Sequence, residues 1–308
     1  MRRFRTLIAL ITASVIALGG CADNADDQSS RAPSADASYP VTVGGVTLDK
    51  RPERIVSLSP SSTETLFAIG AGPQVVAVDD QSNYPPEAPQ TDLSGYKPNA
   101  EAIAAKDPDL VVISNNIDRI VEQLTALKIP VYLAAAPANL DGVYQQITEL
   151  GALTGHRDEA ADLVQRMKDE IDKLVADVPK RSKKLTYYYE LDANLYSLTS
   201  TTFVGSLFAL VGLENIADAA DPDGSKGGYP QLSQEMLVKA DPDLIFLADV
   251  KCCQQNAETV KARSGWASIS AVKHNRIVEL DDDIASRWGP RVVDLLRTIV
   301  DAVAKVPA

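Results

Sequence analysis

Asn99-Ala-Glu101-Ala-Ile103-Ala-Ala-Lys-Asp107-Pro-Asp109-Leu110-Val-Val-Ile113 recurs 134 residues later as Ser233-Gln-Glu235-Met-Leu237-Val-Lys-Ala-Asp241-Pro-Asp243-Leu244-Ile-Phe-Leu247. Each copy sets a Glu six residues ahead of an Asp-Pro-Asp-Leu. The stretch from Glu to Lys or Ala reads as a short helix. Asp-Pro ends it, because proline has no N–H and restrains the residue before it. The apolar run that follows, rich in branched side chains, reads as a buried strand. A weaker echo lies upstream of each copy, Leu66-Phe-Ala-Ile-Gly70 and Leu207-Phe-Ala-Leu-Val211-Gly212. A repeat of this length is a whole lobe, since solenoid units have periods of about 20–50 residues.

Working outward, the helix-to-strand pattern continues. Arg54–Leu58, Gln74–Val78 and Val131–Ala134 read as strands, with helices at Ser62–Ile69 and Ile120–Leu127. In the second half, Lys184–Leu191, Asp243–Ala248 and Arg276–Leu280 read as strands, with a helix at Gly205–Val211. Such alternation predicts parallel, helix-covered sheets. Between the halves, Leu163, Val164, Met167, Ile171, Leu174, Val175 and Val178 recur at helical spacing up to Pro179. They predict one amphipathic helix over 158–178, about 30 Å long, packed along both lobes. The expected fold is therefore α/β, with two similar lobes of mostly parallel sheet. One long backbone helix joins them and a ligand cleft lies between them. The expected boundaries are an N-terminal lobe at 39–157, the linking helix at 158–179 and a C-terminal lobe at 180–308.

The N-terminus points to a compartment. Arg2, Arg3 and Arg5 precede an apolar run from Leu7 to Leu18. That run is too short to span a bilayer comfortably and suits a secretory signal over residues 1–20. Leu18-Gly19-Gly20-Cys21 then resembles the bacterial lipobox, which implies cleavage before Cys21 and a diacylglycerol on its sulfur. Residues 21–38 are Asp-, Ser- and Ala-rich and read as a flexible tether. Loss of the signal removes three arginines and no acid, taking the net charge from −12 to −15. An acidic surface argues against nucleic acid and against a polybasic membrane contact. The expected location is extracytoplasmic, with lipid the sole hold on the membrane.

Taken together, Arg54-Ile-Val-Ser-Leu-Ser-Pro-Ser-Ser-Thr-Glu-Thr-Leu-Phe-Ala-Ile-Gly70, Asn83-Tyr-Pro-Pro86 and the first Glu…Asp-Pro-Asp-Leu resemble the helical-backbone substrate-binding proteins of ABC transporters. These take up cobalamin, ferric siderophores and haem. The resemblance runs from about Tyr39 to the C-terminus. It implies a monomer that serves an ABC permease and its ATPase, carries a metal chelate and needs no cofactor. It further implies that one surface Glu on each lobe pairs with permease arginines, and Glu101 and Glu235 occupy those positions. The alternative is an acid that decorates a helix start, where the dipole favours it.

Ligand contacts are expected from loops that follow the cleft-facing strands. Ser59, Asp80, Gln81 and Ser82 belong to such loops in the first half. Tyr96 precedes Glu101, and Tyr229 precedes Glu235, while Tyr196 follows the first strand of the second lobe. Arg287 and Trp288 lie just before the last helix. Aromatics with an arginine suit a large planar or chelated ligand with carbonyl or acidic groups. Cys252 and Cys253 are expected on a loop near the cleft, as a vicinal disulfide, as inert thiols or as ligand or metal contacts. Asp281-Asp282-Asp283 reads as a cation site or as a solvated loop.

Other classes find less support. There is no P-loop, no Gly-x-Ser-x-Gly and no His-Glu-x-x-His, so an enzyme is not expected. His156 and His274 are the two histidines, and His156 is expected at a solvent-facing turn. A direct zinc or manganese site needs more His and carboxylate ligands at suitable spacing, and no metal site is expected. Among chelates, Tyr84-Pro-Pro and Tyr229-Pro-Gln231 resemble cobalamin-binding members, which ranks corrinoids above ferric siderophores and haem. Gln81 departs from that pattern, since an aromatic residue is usual at its position.

Overall fold

The computed structural model describes residues 38–307; the signal, Cys21 and the tether up to residue 37 lie outside them. A short antiparallel hairpin comes first, β1 (Val41–Val43) and β2 (Val46–Leu48). The first sheet follows with β3 (Ile55–Leu58), α1 (Pro60–Ala68), β4 (Val75–Asp79), β5 (Gln90–Leu93), α2 (Ala100–Ala104), β6 (Leu110–Ile113), α3 (Ile120–Ala126) and β7 (Val131–Leu133). Its strands are parallel in the order β5-β4-β3-β6-β7. Two long helices succeed it, α4 (Leu140–Thr154) and α5 (Arg157–Ala176). The second sheet is laid down by β8 (Thr186–Glu190), α6 (Phe203–Leu210), β9 (Glu214–Asn215), α7 (Gln234–Ala240), β10 (Leu244–Leu247), α8 (Val250–Cys253), α9 (Ala257–Lys261), α10 (Ser270–Lys273) and β11 (Ile277–Glu279). It is parallel in the order β11-β10-β8-β9, and the chain closes with α11 (Asp282–Ala285) and α12 (Val292–Ala304).

The repeat is structural as well as textual. Asn99 Oδ1 accepts from Ala102 N at 2.9 Å and Ser233 Oγ from Met236 N at 3.1 Å, so α2 and α7 carry matching N-caps. Asp107 and Asp241 both take left-handed backbone, φ +51 and +46. Proline disfavours the right-handed helical conformation at the residue before it, and the chain leaves the helical path by that point. The second acid then anchors the sheet. The Asp109 carboxylate accepts from Glu53 N and Arg54 N at 3.0 and 2.9 Å, at the start of β3. Asp243 accepts from Thr186 N at 3.0 Å, at the start of β8. In each lobe Asp-Pro-Asp thus stops a helix and pins the interior strand beside the next one.

Each sheet is sandwiched. Ile55, Val78, Leu110 and Val112 face a core that also contains Leu163, Met167 and Ile171 of α5 and Leu296 and Ile299 of α12. Tyr187, Tyr189, Leu244 and Phe246 of the second sheet face the same core. The opposite faces pack separately, against Ile103 and Leu124 in the first lobe and against Leu237 and Trp266 in the second. One continuous core therefore runs through both lobes along α5. At 20 residues, α5 is about 30 Å long.

Two features depart from expectation. α4 has no counterpart in the periodicity reading, although Asn139 caps its start and Gly155, at φ +77, ends it. It lies close along α5: a Cβ on Gly151 would stand 2.4 Å from that of Ala160. His156 is not solvent-facing. Its side chain is 14% exposed, and Nε2 meets Arg51 Nη2 at 2.8 Å and Gln74 Oε1 at 3.0 Å. Burial, helped by the Arg51 charge, lowers its pKa.

Candidate functional site

In both sheets the first strand of the lobe is interior, and chain order reverses across it. Open parallel sheets bind ligands beyond the carboxyl ends of their strands at such a switch point. The loops at those ends meet here. Asn83, after β4, donates to Asp283 Oδ2, after β11, at 3.1 Å. The two sheets thus turn their carboxyl edges toward a shared cleft.

Arg287 forms the joint between the lobes. Nη1 donates to Glu64 Oε1 at 3.0 Å and to Asn83 Oδ1 at 2.9 Å. Nη2 donates to the Gln81 carbonyl and to Asp283 Oδ1, each at 2.9 Å. Arg291 completes the arrangement with Nε on Glu64 Oε2 at 2.9 Å, while its guanidinium lies 4.2 Å from the centre of the Tyr84 ring. Trp288 N donates to Ser61 Oγ at 3.0 Å. Glu64, on α1 of the first lobe, is therefore held by two arginines from the second. The sequence reading missed Glu64 and Arg291. The signal was available: a carboxylate on an otherwise uncharged helix, and two arginines four residues apart.

Three of the anticipated ligand residues are consumed by the fold. Ser59 is buried as the N-cap of α1. The buried Ser82 hydroxyl lies 3.0 Å from Thr63 Oγ1. Arg287, 8% exposed, spends its donors on the joint. Asp80, Gln81, Tyr96, Tyr196 and Tyr229 are exposed, and Trp288 is half-buried. Tyr96 owes its position to Gly95, where a Cβ would stand 2.7 Å from Asp79 Oδ2 and 2.8 Å from the Leu58 carbonyl. Tyr196 and Tyr229 share a scaffold: Tyr196 forms an antiparallel bridge with Gln231, and Ser197 N donates to the Pro230 carbonyl at 2.9 Å.

The aspartate run is neither a cation site nor a solvated loop. Asp281 Oδ1 accepts from Lys251 Nζ at 2.6 Å, and Asp283 Oδ2 from the same ammonium at 3.0 Å. The Asp282 carboxylate accepts from the backbone N–H groups of Val250, Lys251 and Cys252 at 2.9–3.1 Å. Among the described residues no group of three or more His, Cys, Asp or Glu side chains is arranged to hold a metal. Cys252 and Cys253 lie on α8 rather than on a loop, and a disulfide joins them.

Beneath α8 sits a buried polar layer. Glu190, at the end of β8, takes two 2.6 Å hydrogen bonds from Arg263, whose guanidinium lies over the Trp266 ring. Asp249, after β10, is fully buried and neither carboxylate oxygen has a hydrogen-bond partner. Burial first, and the Glu190 charge second, raise its pKa to about 7.

Glu101 and Glu235 are the second residues of α2 and α7 and are exposed to solvent.

The family model described as "Periplasmic binding protein" matches residues 55–284, which span both sheets. The chain belongs to that family. It is a substrate-binding protein of the ABC-transporter type, a class of extracytoplasmic carriers. An uncharacterized ABC transporter substrate-binding lipoprotein of Bacillus subtilis is 30% identical over 96% of this chain and 95% of its own length. A cobalamin-binding protein of Halobacterium salinarum is 31% identical over 97% of this chain and 84% of its own. Among solved structures, a possible iron-binding periplasmic solute-binding protein of Staphylococcus epidermidis superposes with a TM-score of 0.71 at 28% identity. That match covers 83% of this chain and all of the other. The matched family segment runs from β3 into α11, so both repeat copies and the loops that carry Asp80, Gln81, Tyr96, Tyr196 and Tyr229 lie inside it, while Arg287, Trp288 and Arg291 follow it.

Proposed function

We propose that the protein captures a corrinoid in the cleft between its lobes and delivers it to an ABC permease and its ATPase. In this reading the lobes are residues 39–157 and 180–308, joined by the helix at 158–179. Lipid on Cys21 holds the monomer at the membrane. Glu101 and Glu235 meet basic residues of the permease, and charge pairs at such a transient interface steer docking more than they tighten it.

One observation carries the choice of ligand. Four basic side chains at and near the joint are already paired with acids: Lys251 with Asp281 and Asp283, Arg263 with Glu190, Arg287 with Glu64 and Asp283, Arg291 with Glu64. The anticipated contacts that stay exposed are tyrosines at 96, 196 and 229 with Asp80 and Gln81. Such a surface suits a large, amide-rich ligand without net negative charge. A ligand with free carboxylates, such as haem, would bring anions to a rim that offers little compensation. The cobalamin-binding relative supports the same choice. A neutral or cationic ferric siderophore is the second reading, favoured by the likeness to the possible iron-binding protein.

The test is quenching of intrinsic Trp and Tyr fluorescence by cyanocobalamin, a ferric hydroxamate and haem. Saturable quenching by micromolar cyanocobalamin, with haem weaker, is expected. No quenching by cyanocobalamin at that level refutes the corrinoid assignment.

A further inference from the structure

The Cys252–Cys253 disulfide is exposed at both residues, yet it is wired into the joint between the lobes. The wiring can be followed contact by contact. The N–H groups of Val250, Lys251 and Cys252 are held by Asp282. Lys251 bridges Asp281 and Asp283. Asp283 binds Arg287 from its own lobe and Asn83 from the other. Arg287 in turn grips the Gln81 carbonyl and Asn83. On the inner side, Cys253 N and Gln255 N both reach the carbonyl of the buried Asp249 at 3.3 Å. A change in the backbone at 252–253 is thus passed to the loop that presents Asp80 and Gln81.

We propose that this disulfide is a thiol–disulfide exchange site, and that its redox state sets how firmly the ligand loop at 80–83 is held. The co-reactant is a dithiol, as carried by extracytoplasmic thiol oxidoreductases. One thiolate of the dithiol attacks a cysteine sulfur, the Cys252–Cys253 bond breaks, and the released thiolate takes a proton. The second thiol of the reductant then displaces the other cysteine, which also takes a proton. The protein gains two S–H bonds and the dithiol leaves as a disulfide. Reduction opens the ring that joins the two side chains and frees the peptide between them. The last turn of α8 loosens, and Asp282 and Lys251 lose their fixed partners.

The exchange site stands on these contacts alone; its effect on ligand binding rests on the function proposed above. Full-length oxidised protein is compared with protein treated with dithiothreitol as the dithiol probe, and with the C252S/C253S double variant. Peptide-resolved alkylation by iodoacetamide reads the redox state at 252–253, and hydrogen exchange reads the backbone. Dithiothreitol is expected to reduce the bond without denaturant. Amides at 250–252 and at 82–83 should then exchange at least about fivefold faster, in the double variant as well, the lower end of usual coupling between sites. Cyanocobalamin affinity should fall in the same proportion. Resistance to dithiothreitol until the protein unfolds overturns the proposal, as does faster exchange confined to 252–253. If no chelate binds either form, the function reading fails while the exchange pattern still decides the redox latch.

Discussion

Glu64→Gln tests the joint between the lobes most directly. The substitution keeps the shape of the side chain and removes its charge. Glu64 is 3% exposed and accepts from Arg287 Nη1 and from Arg291 Nε and Nη2. Breaking a buried ion pair by removing one partner costs about 3–5 kcal/mol, because the other charge is left uncompensated. Two features temper the loss here. Arg287 keeps Asp283, the Gln81 carbonyl and Asn83, and the Arg291 side chain is 19% exposed and keeps its stacking on Tyr84. A loss of about 2–4 kcal/mol follows. For a protein of this size, about 2–4 °C of melting temperature accompanies each kcal/mol, so E64Q should melt about 5–15 °C lower. The assay is thermal unfolding followed by circular dichroism in low salt and in about 0.5 M NaCl. A buried pair is screened little, so the gap should persist in salt. A drop below about 2 °C, or one that vanishes in salt, would refute a buried joint and make these contacts ordinary surface pairs.

Other predictions concern the outer faces, the buried acid and the anchor. E101A and E235A, singly and together, should leave cyanocobalamin affinity intact and impair uptake in cells; a fall in affinity would move both residues into the cleft. Asp249 has its folded pKa raised to about 7, above the unfolded value of about 4, so the unfolded chain gives up this proton first. The contribution of Asp249 to stability is therefore lost as pH rises between those values. D249N should be more stable than the parent at pH ~8 and should narrow the gap toward pH ~5; parallel melting curves across that range would count against a buried, protonated carboxyl. C21S should release the protein from the membrane fraction into the soluble one, and continued sedimentation with membranes would argue against a lipid at that position.

The sheets were legible because their chemistry is local. Branched apolar runs gave β3, β6 and β10 within a residue or two, and the Asp-Pro-Asp that opens β6 and β10 gave the lobes their common frame. α4 escaped for the opposite reason. Its helical stripe of Val143, Ile147 and Leu150 is interrupted by Gly151, which α5 requires for close packing and which local propensity counts against a helix. The site was half legible. Tyr96 and Tyr229 stood out because they sit next to repeat copies, and Tyr196 because it follows the first strand of the second lobe. Ser59, Ser82 and Arg287 could not be told from ligand contacts, because their partners Ser62, Thr63, Glu64 and Asn83 lie in loops and helices that only the fold brings together. The aspartate run misled for the same reason. Its three carboxylates read as free charge until Lys251 and the amides of α8 arrive from about 30 residues away.

The two copies of the repeat agree at their capped helices and diverge in the segments just ahead of them, and the proposed function gives the division a physical reason. At the helices, both lobes offer an N-cap, an exposed Glu at the second position and a left-handed Asp behind it. Ahead of the helices, the first lobe presents Tyr96 from a loop packed on Asp79, where only glycine fits at 95. The second presents Tyr229 at the end of a loop tied by Asp221 to the N–H groups of Lys226 and Gly228. A docking partner that meets both lobes alike demands two similar acidic faces. A ligand without such symmetry demands two dissimilar walls. The link between them is short. Tyr96 stands three residues before the Asn99 cap, and Tyr229 four before the Ser233 cap. Each lobe thus carries its tyrosine and its exposed carboxylate on one segment, pinned by Asp109 or Asp243 to the first strand of the sheet. The same strands that hold the tyrosines hold the two acids, so in the proposed function one frame would serve capture and docking together.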